Sequence, residues 1–310
     1  MIAFAARRLL WVVATLLVAV TLAFALLRLL PGGPFDAERA VPVEVARALD
    51  AKYHLDEPLL QQYARWLGDL VWRGDLGPSF RYPNRRVSEI VALSLPVSLE
   101  LGSLALVLAI AAGVPLGVLG ATRRGAVDAA ARGASVLGIS LPRFVLGPLL
   151  VLVFSLKLYL LPAARWDSWR HMVLPALCAG VPTAAYLARL TRAGMLEVLH
   201  ADFIRTARAK GLSERAVIWK HALPGGLLPV VSFLGPGASA LLTGSVVIEK
   251  IFDVPGMGRY FVEAAQNRDY NLVLGVTLVY GVVVMTLNAV VDVAYALLDP
   301  RVRGAGGRSG

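Results

Sequence analysis

The chain has 310 residues, of which 57% are apolar types and only 17% are charged, with a formal net charge of +10. A soluble protein of this length exposes far more charge, so the composition excludes an ordinary soluble enzyme and predicts a polytopic, all-α membrane protein. In such a chain a basic balance follows membrane topology, so we expect no nucleic-acid partner.

Six stretches are apolar and long enough to cross a membrane, since ~20 residues at 1.5 Å rise span a ~30 Å hydrocarbon core. They run over approximately 9–30, 95–121, 131–155, 173–194, 227–248 and 272–298. The first begins like a signal peptide, with Arg7 and Arg8, but it continues to Leu30. Because no small-x-small cleavage site follows, we expect an uncleaved first helix.

The basic residues orient these spans. With the N-terminus in the cytoplasm, the inside segments hold fifteen basic and five acidic residues, a balance of +10 that equals the charge of the whole chain. The positive-inside rule then places both termini in the cytoplasm. The predicted parts are an N-terminal helix (1–30), an extracytoplasmic segment (31–94), a transmembrane core (95–298) and a cytoplasmic tail (299–310).

The segment 31–94 is predicted to contain two short amphipathic helices. The first lies around 43–53, and the second follows a candidate N-cap at Asp56, with one apolar face made by Leu59, Tyr63, Trp66, Leu67 and Leu70. A turn-rich loop follows at 73–80. Two interpretations stay open, a cap on the helix bundle and a docking surface for another protein.

Polar groups inside the spans are costly and often functional. Glu100, Arg143 and Asn288 are the candidates for a translocation path, although structural pairing explains Glu100 and Arg143 equally well. No ladder of carboxylates or histidines is present, which argues against a proton-coupled carrier. The four histidines and the single Cys178 have no metal-ligand spacing, so we expect no metal site.

Small residues and prolines shape the predicted bundle. In the second span Ala109, Gly113, Gly117 and Ala121 recur every four residues, which lets another helix approach closely. Pro142 and other prolines inside the spans predict kinked or broken helices.

The loop 195–226 is predicted to lie in the cytoplasm and to divide at Gly211 into two helices. In the first, apolar residues fall on one face, namely Leu196, Leu199, Phe203, Ile204 and Ala207. Gly211 is placed as a helix-ending glycine, and Ser213 as the N-cap of the second helix. Such a loop either rests on anionic lipid or docks into the groove of a partner protein.

Motifs along nearly the whole chain resemble one family. The loop sequence Arg205-Thr206-Ala207-Arg208-Ala209-Lys210-Gly211-Leu212, with His221-Ala222-Leu223 and Leu228-Pro229, is similar to the "EAA" loop of ABC importer permeases of the dipeptide/oligopeptide branch. The same branch is matched by Leu30–Asp36, Ala51–Leu55, Gly74–Phe80, Ile248–Phe252, Pro255–Gly258, Asn267–Tyr270 and Ala296–Arg301. Arg205, Thr206 and Ala207 replace Glu-Ala-Ala, as is common in this branch, whereas Pro224-Gly225-Gly226 is less typical of it.

The resemblance implies the six-helix type I ABC importer (MetI-like) permease fold and a role in ATP-driven peptide import. It also implies several partners: a second homologous permease subunit, two cytoplasmic ABC ATPases, an extracytoplasmic peptide-binding receptor, the peptide and membrane lipid. The residues expected to couple to the ATPases are Leu199, Phe203, Arg205, Thr206, Ala207, Gly211 and Leu212. This sequence contains no phosphate-binding P-loop, so ATP is expected on the partner subunits, with no cofactor and no catalysis in this chain.

Other interpretations stay open at this point. Within the branch, permeases also carry dipeptides, nickel complexes or glycosides. From other classes, the alternatives are a proton-coupled carrier and a membrane scaffold with no transport role.

Overall fold

The computed structural model describes residues 2–29, 33, 50–243 and 246–298. These residues are mostly helical and contain no β-strand. The helices, in chain order, are α1 (Ile2–Leu29), α2 (Leu59–Arg73), α3 (Val87–Thr122), α4 (Ala126–Ser140), α5 (Arg143–Leu150, continued by π-helical turns over Val151–Lys157), α6 (Trp169–Leu199), α7 (Asp202–Ala209), α8 (Glu214–Ala216, continued by π-helical turns over Val217–Ala222), α9 (Leu223–Gly226), α10 (Leu228–Leu242), α11 (Val246–Ile251), α12 (Met257–Gln266) and α13 (Tyr270–Leu298).

Five helical stretches among the described residues are long and apolar enough to cross a membrane. They lie within α1, α3, α6, α10–α11 and α13. A sixth is added if α4 and α5 together form one span, which gives the six spans predicted from the sequence. This all-helical, polytopic architecture agrees with the predicted fold class.

The third span, predicted over 131–155 with a kink or break at Pro142, is broken in the structure. α4 and α5 are bent by 104° at a short break. Pro142 is the physical reason, because a proline disfavours the helical conformation of the residue before it. Leu141 is accordingly extended, with φ −78° and ψ 114°, and α5 restarts at Arg143.

One of two compact units comprises residues up to Val97 together with Gly256–Met285. Its core packs α1, α2, the start of α3, α12 and the start of α13 around buried side chains, among them Phe24, Trp66, Val87, Met257 and Leu272. The predicted apolar face of α2 is confirmed, since Tyr63, Leu67 and Leu70 pack on this core beside Trp66. The predicted cap at Asp56 is wrong, because α2 begins after Pro58 without a side-chain cap. Of the predicted helix 43–53, residues 43–49 lie outside the described residues.

The second unit comprises Ser98–Pro255 with the chain from Thr286 onwards. Here the predicted close approach of a helix to the small-residue stripe of α3 is confirmed, and the helix is α6. A Cβ on Gly117 would lie 2.6 Å from the carbonyl oxygen of Ala188 on α6. A Cβ on Gly180 of α6 would lie 2.8 Å from the carbonyl oxygen of Ala105 on α3. Glycines on both helices are therefore needed for backbone contact.

Candidate functional site: the 195–226 loop

The 195–226 loop begins inside α6, which runs on to Leu199. His200 and Ala201 interrupt the helix, and α7 then starts at Asp202. Thr206 lies on α7 and its hydroxyl donates to the carbonyl of Asp202 (3.1 Å). Arg205 is also on α7 and lies on the solvent side, where its guanidinium is 3.7 Å from the Asp202 carboxylate.

The turn after α7 depends on glycine. Gly211 has φ +79°, and a Cβ built on it would meet no heavy atom within 4 Å. The requirement is therefore for backbone conformation alone, because glycine adopts this region with the least strain and most L-residues do so only at a cost. The amide of Gly211 donates to the carbonyl of Arg208 (2.9 Å), and the amide of Leu212 donates to the carbonyl of Ala207 (3.4 Å). The predicted end of the first helix at this glycine is confirmed.

The second helix is capped as predicted, because the Ser213 hydroxyl accepts from the amide of Ala216 (3.3 Å). Across the Gly211 turn, Arg208 donates to both carboxylate oxygens of Glu214, at 2.7 and 3.3 Å. This hydrogen-bonded pair lowers the pKa of Glu214 and raises the pKa of Arg208. The ion pair joins α7 to α8 and thereby fixes the shape of the turn.

The apolar side chains of the loop divide into two sets. Ile204 and Ala207 are buried in a cluster with Val118, Met195, Val217 and Ala222, and Leu199 packs against that cluster. Phe203, by contrast, is 53% exposed, Leu212 is 40% exposed and Trp219 is 55% exposed. Leu199 and Ala207 therefore hold the loop together, whereas Phe203 and Leu212 face away from its core.

Trp219 was not among the predicted coupling residues. It lies on the π-helical turns after α8, so helical spacing counted from α7 does not connect it with Phe203. An exposed tryptophan in a short charged loop is the signal that could have found it, since large exposed apolar side chains are characteristic of interfaces.

The three candidate path residues occupy separate places, on α3, α5 and α13. Glu100 is exposed on α3 and accepts a hydrogen bond from the indole of Trp166 (3.2 Å). Arg143 is half-buried at the start of α5. Asn288 is exposed on α13, where its side-chain oxygen would lie 3.1 Å from a Cβ on Gly235.

A buried carboxylate outside that set lies in the second unit. Glu249 on α11 is fully buried and accepts from the hydroxyl of Ser98 (2.9 Å). The predicted fifth span, 227–248, ends one residue before Glu249. Its burial is set by the packing of α3 and α11, which a single-sequence pattern does not reveal.

Two of the quoted motifs meet in the first unit. Asp269, fully buried before α13, accepts from the Ser79 hydroxyl, from the amide of Arg81 (3.2 Å) and from the amide of Leu272 (3.2 Å). The carboxylate thus caps α13 and holds the loop of the Gly74–Phe80 motif. These motif residues are explained by local structure.

Comparisons with known proteins give the context for this site. Residues 113–304 match the family described as the binding-protein-dependent transport system inner membrane component. The chain is 48% identical to a dipeptide transport system permease protein of Bacillus subtilis, over 94% of either chain. It is 45% identical to an oligopeptide transport system permease protein of Haemophilus influenzae, over 98% of this chain and all of that protein.

Solved structures agree on the fold. The methionine ABC transporter MetNI, in an inward-facing conformation, superposes with a TM-score of 0.56 at 17% identity, covering 68% of this chain and 97% of that one. An amino acid ABC transporter with histidines gives a TM-score of 0.54 at 15% identity, covering 67% and 94%. The six-helix permease fold expected from the motifs is thus confirmed. The chain belongs to the family of inner-membrane components of binding-protein-dependent transport systems.

Proposed function

We propose that this chain is a permease subunit of an ATP-driven importer of oligopeptides. The observation that carries the proposal is 45% identity, over 98% of this chain, to an oligopeptide permease of equal extent. The chain would form the translocation path with a second homologous permease subunit. Two cytoplasmic ABC ATPases would supply the energy, and an extracytoplasmic receptor would deliver the peptide.

The 195–226 loop is the proposed coupling element. Its inward face is already packed by Ile204 and Ala207, which gives the loop a shape of its own before any partner binds. Its outward face carries Phe203, Leu212 and Trp219, an apolar set suited to an ATPase groove. Arg205 and Thr206 lie beside this set. ATP binding on the partner subunits would move the loop, provided that the ATPases bind it differently in the two states.

Dipeptides are the second candidate substrate. The reason is the 48% identity to a dipeptide permease over 94% of this chain. Uptake of a labelled dipeptide, competed by longer peptides, separates the two candidates. Much stronger competition by oligopeptides than by other dipeptides supports the first.

We also propose that Glu100, Arg143 and Asn288 contact the peptide path. Glu100 and Asn288 are exposed in this chain and are therefore available to a path formed with a second subunit. Replacing each by alanine should change uptake kinetics without changing the yield of the assembled complex.

The orientation of the chain is part of the proposal, with both termini and the 195–226 loop in the cytoplasm. In a Cys178→Ser background, Ser213→Cys should resist an impermeant thiol reagent in cells whose inner membrane is intact. Arg85→Cys, in the proposed extracytoplasmic segment, should react. Labelling of position 213 in intact cells, with position 85 protected, contradicts this topology.

Phe203→Asp tests the coupling role. A charge placed on the exposed apolar set should abolish co-purification of the ATPases and stop uptake, while the fold is kept because Phe203 is not in the core. Phe203→Leu is the matched control and should retain both co-purification of the ATPases and uptake. If Phe203→Asp co-purifies with the ATPases at wild-type yield, the loop does not dock through this surface.

A further inference from the structure

A cavity of about 410 Å³ lies in the second unit beside the 195–226 loop. Its walls come from the end of α3, the start of α4, the end of α6, α7 and the turns after α8. This volume falls within the roughly 300–1,000 Å³ usual for ligand sites. The cavity does not include Phe203, Leu212 or Trp219, so the proposed coupling surface does not account for it.

The charged groups around the cavity are four arginines and two carboxylates: Arg123, Arg124, Arg192, Arg208, Asp128 and Glu214. Both carboxylates are already neutralised. Arg192 donates to both oxygens of Asp128, at 2.8 and 3.1 Å, and Arg208 does the same to Glu214. An anion entering the cavity therefore meets no uncompensated negative charge.

Two guanidinium groups are left over at the rim. Arg123 and Arg124 are exposed in the turn between α3 and α4, and in the part of the chain that the structure describes neither side chain forms an ion pair. Gly125, with φ +73°, follows the two arginines as the N-cap residue of α4. Arg123 and Arg124 thus bring two adjacent positive charges to the lining of one cavity.

Leu196, Leu199 and Ile218 form an apolar part of the cavity wall, and polar and charged side chains line much of the rest. A pair of arginines together with an apolar part of the wall fits an anion attached to an apolar body. Guanidinium groups match the geometry of phosphate oxygens and bind them through paired hydrogen bonds. Arg123 directly follows the candidate span Val87–Thr122, so we expect it on the aqueous side of the membrane, within reach of lipid headgroups.

We propose that this cavity binds the phosphate ester of an anionic phospholipid headgroup. Arg123 and Arg124 contact the phosphate, and the apolar wall contacts the glycerol and the first acyl carbons. Basic pockets between membrane helices are suited to such headgroups. Because Arg208 lines the same cavity and links the two helices of the 195–226 loop, lipid composition would act on this loop. This regulatory consequence rests on the proposed function, whereas the site itself does not.

Native mass spectrometry of the delipidated complex, titrated with phosphatidylglycerol or phosphatidylcholine, tests the site. We expect retention of phosphatidylglycerol in preference to phosphatidylcholine. Arg123→Gln and Arg124→Gln should each weaken phosphatidylglycerol binding about fivefold. Arg189→Gln is the matched control, since Arg189 is exposed on α6 outside the cavity, and it should leave binding unchanged.

Two further arms identify the source of the anion. Soluble glycerol phosphate should bind far more weakly than the lipid, and equal binding would assign the site to a free phosphate ester and overturn the lipid. Addition of the ATPases should leave the lipid bound, whereas complete displacement of the lipid by the ATPases would make the cavity part of that interface and overturn the lipid site. Equal retention of both lipids, or equal weakening by Arg189→Gln, also overturns the proposal. Each of these outcomes can be distinguished from a failure of the transport proposal, because lipid binding is measured without uptake.

Discussion

At the scale of single residues, the loop shows how one backbone conformation can be required without any packing constraint. Gly211 has open space where a side chain would lie, yet its φ of +79° is one that L-residues rarely adopt. The stretch on either side is held by the ion pair of Arg208 with Glu214. The turn therefore needs Gly211 to adopt its conformation, and the ion pair of Arg208 with Glu214 stabilises that conformation.

Replacing Gly211 should damage coupling more than folding. Gly211→Val forces a β-branched residue into positive φ at a cost of about 1–2 kcal/mol, which α7 can relieve by tilting. We expect assembly to persist while peptide-stimulated ATP hydrolysis and uptake fall to a small fraction of wild type. Gly211→Asn is the control, because asparagine tolerates the left-handed region and should retain most activity. Equal activity of the valine and asparagine variants in proteoliposomes would show that the angle of this turn does not matter.

At the scale of elements, the sequence predicted most features that depend on local pattern, although the cap at Asp56 was wrong, and only some of those that depend on packing. Helix existence, the glycine stop and the Ser213 cap are short-range effects, and all were predictable. The 104° bend at Pro142 was anticipated only as a kink of unspecified size, since the angle is set by the neighbours of α5. The apolar arc of α7 was visible, but Ile204 and Ala207 pack within the chain whereas Phe203 faces out. Periodicity alone does not distinguish apolar side chains that pack within the chain from those that face out.

Replacement by alanine should have opposite effects on stability at Gly117, which lies in the contact between α3 and α6, and at Gly133, which lies outside it. Gly117→Ala places a Cβ 2.6 Å from a backbone carbonyl, so the helices must separate, and we expect a loss of about 1–3 kcal/mol. Gly133→Ala on α4 meets nothing within 4 Å and should stabilise by about 0.4–1 kcal/mol, because alanine restricts the unfolded chain. Thermal unfolding in detergent, followed by size-exclusion chromatography, measures both. The same sign of effect at the two positions would contradict the close approach of α3 to α6.

At the scale of the whole molecule, the chain combines apolar spans with one charged loop that has its own packed core. The chain is 45% identical, over 98% of its length, to an oligopeptide permease of Haemophilus influenzae. Under the coupling proposal, work enters through a surface that this chain offers to another polypeptide. Phe203, Leu212 and Trp219 are exposed apolar side chains of the described loop that could form this surface. The proposal thereby makes transport a property of the assembly.

The purified chain alone should hydrolyse no ATP, because it has no Gly-rich loop ending in Lys-Ser or Lys-Thr to hold the phosphates. Turnover should appear when the two ATPases are added and should rise further with the receptor and peptide. The control replaces the phosphate-binding lysine of the added ATPases, which should return turnover to zero although the permease is unchanged. Phosphate release from the single subunit, insensitive to that control and free of contaminating ATPase, would place a nucleotide site in this chain. The coupling proposal gives the permease only a mechanical role, so that result would contradict the proposal. The proposal requires that turnover depend strictly on the added ATPases.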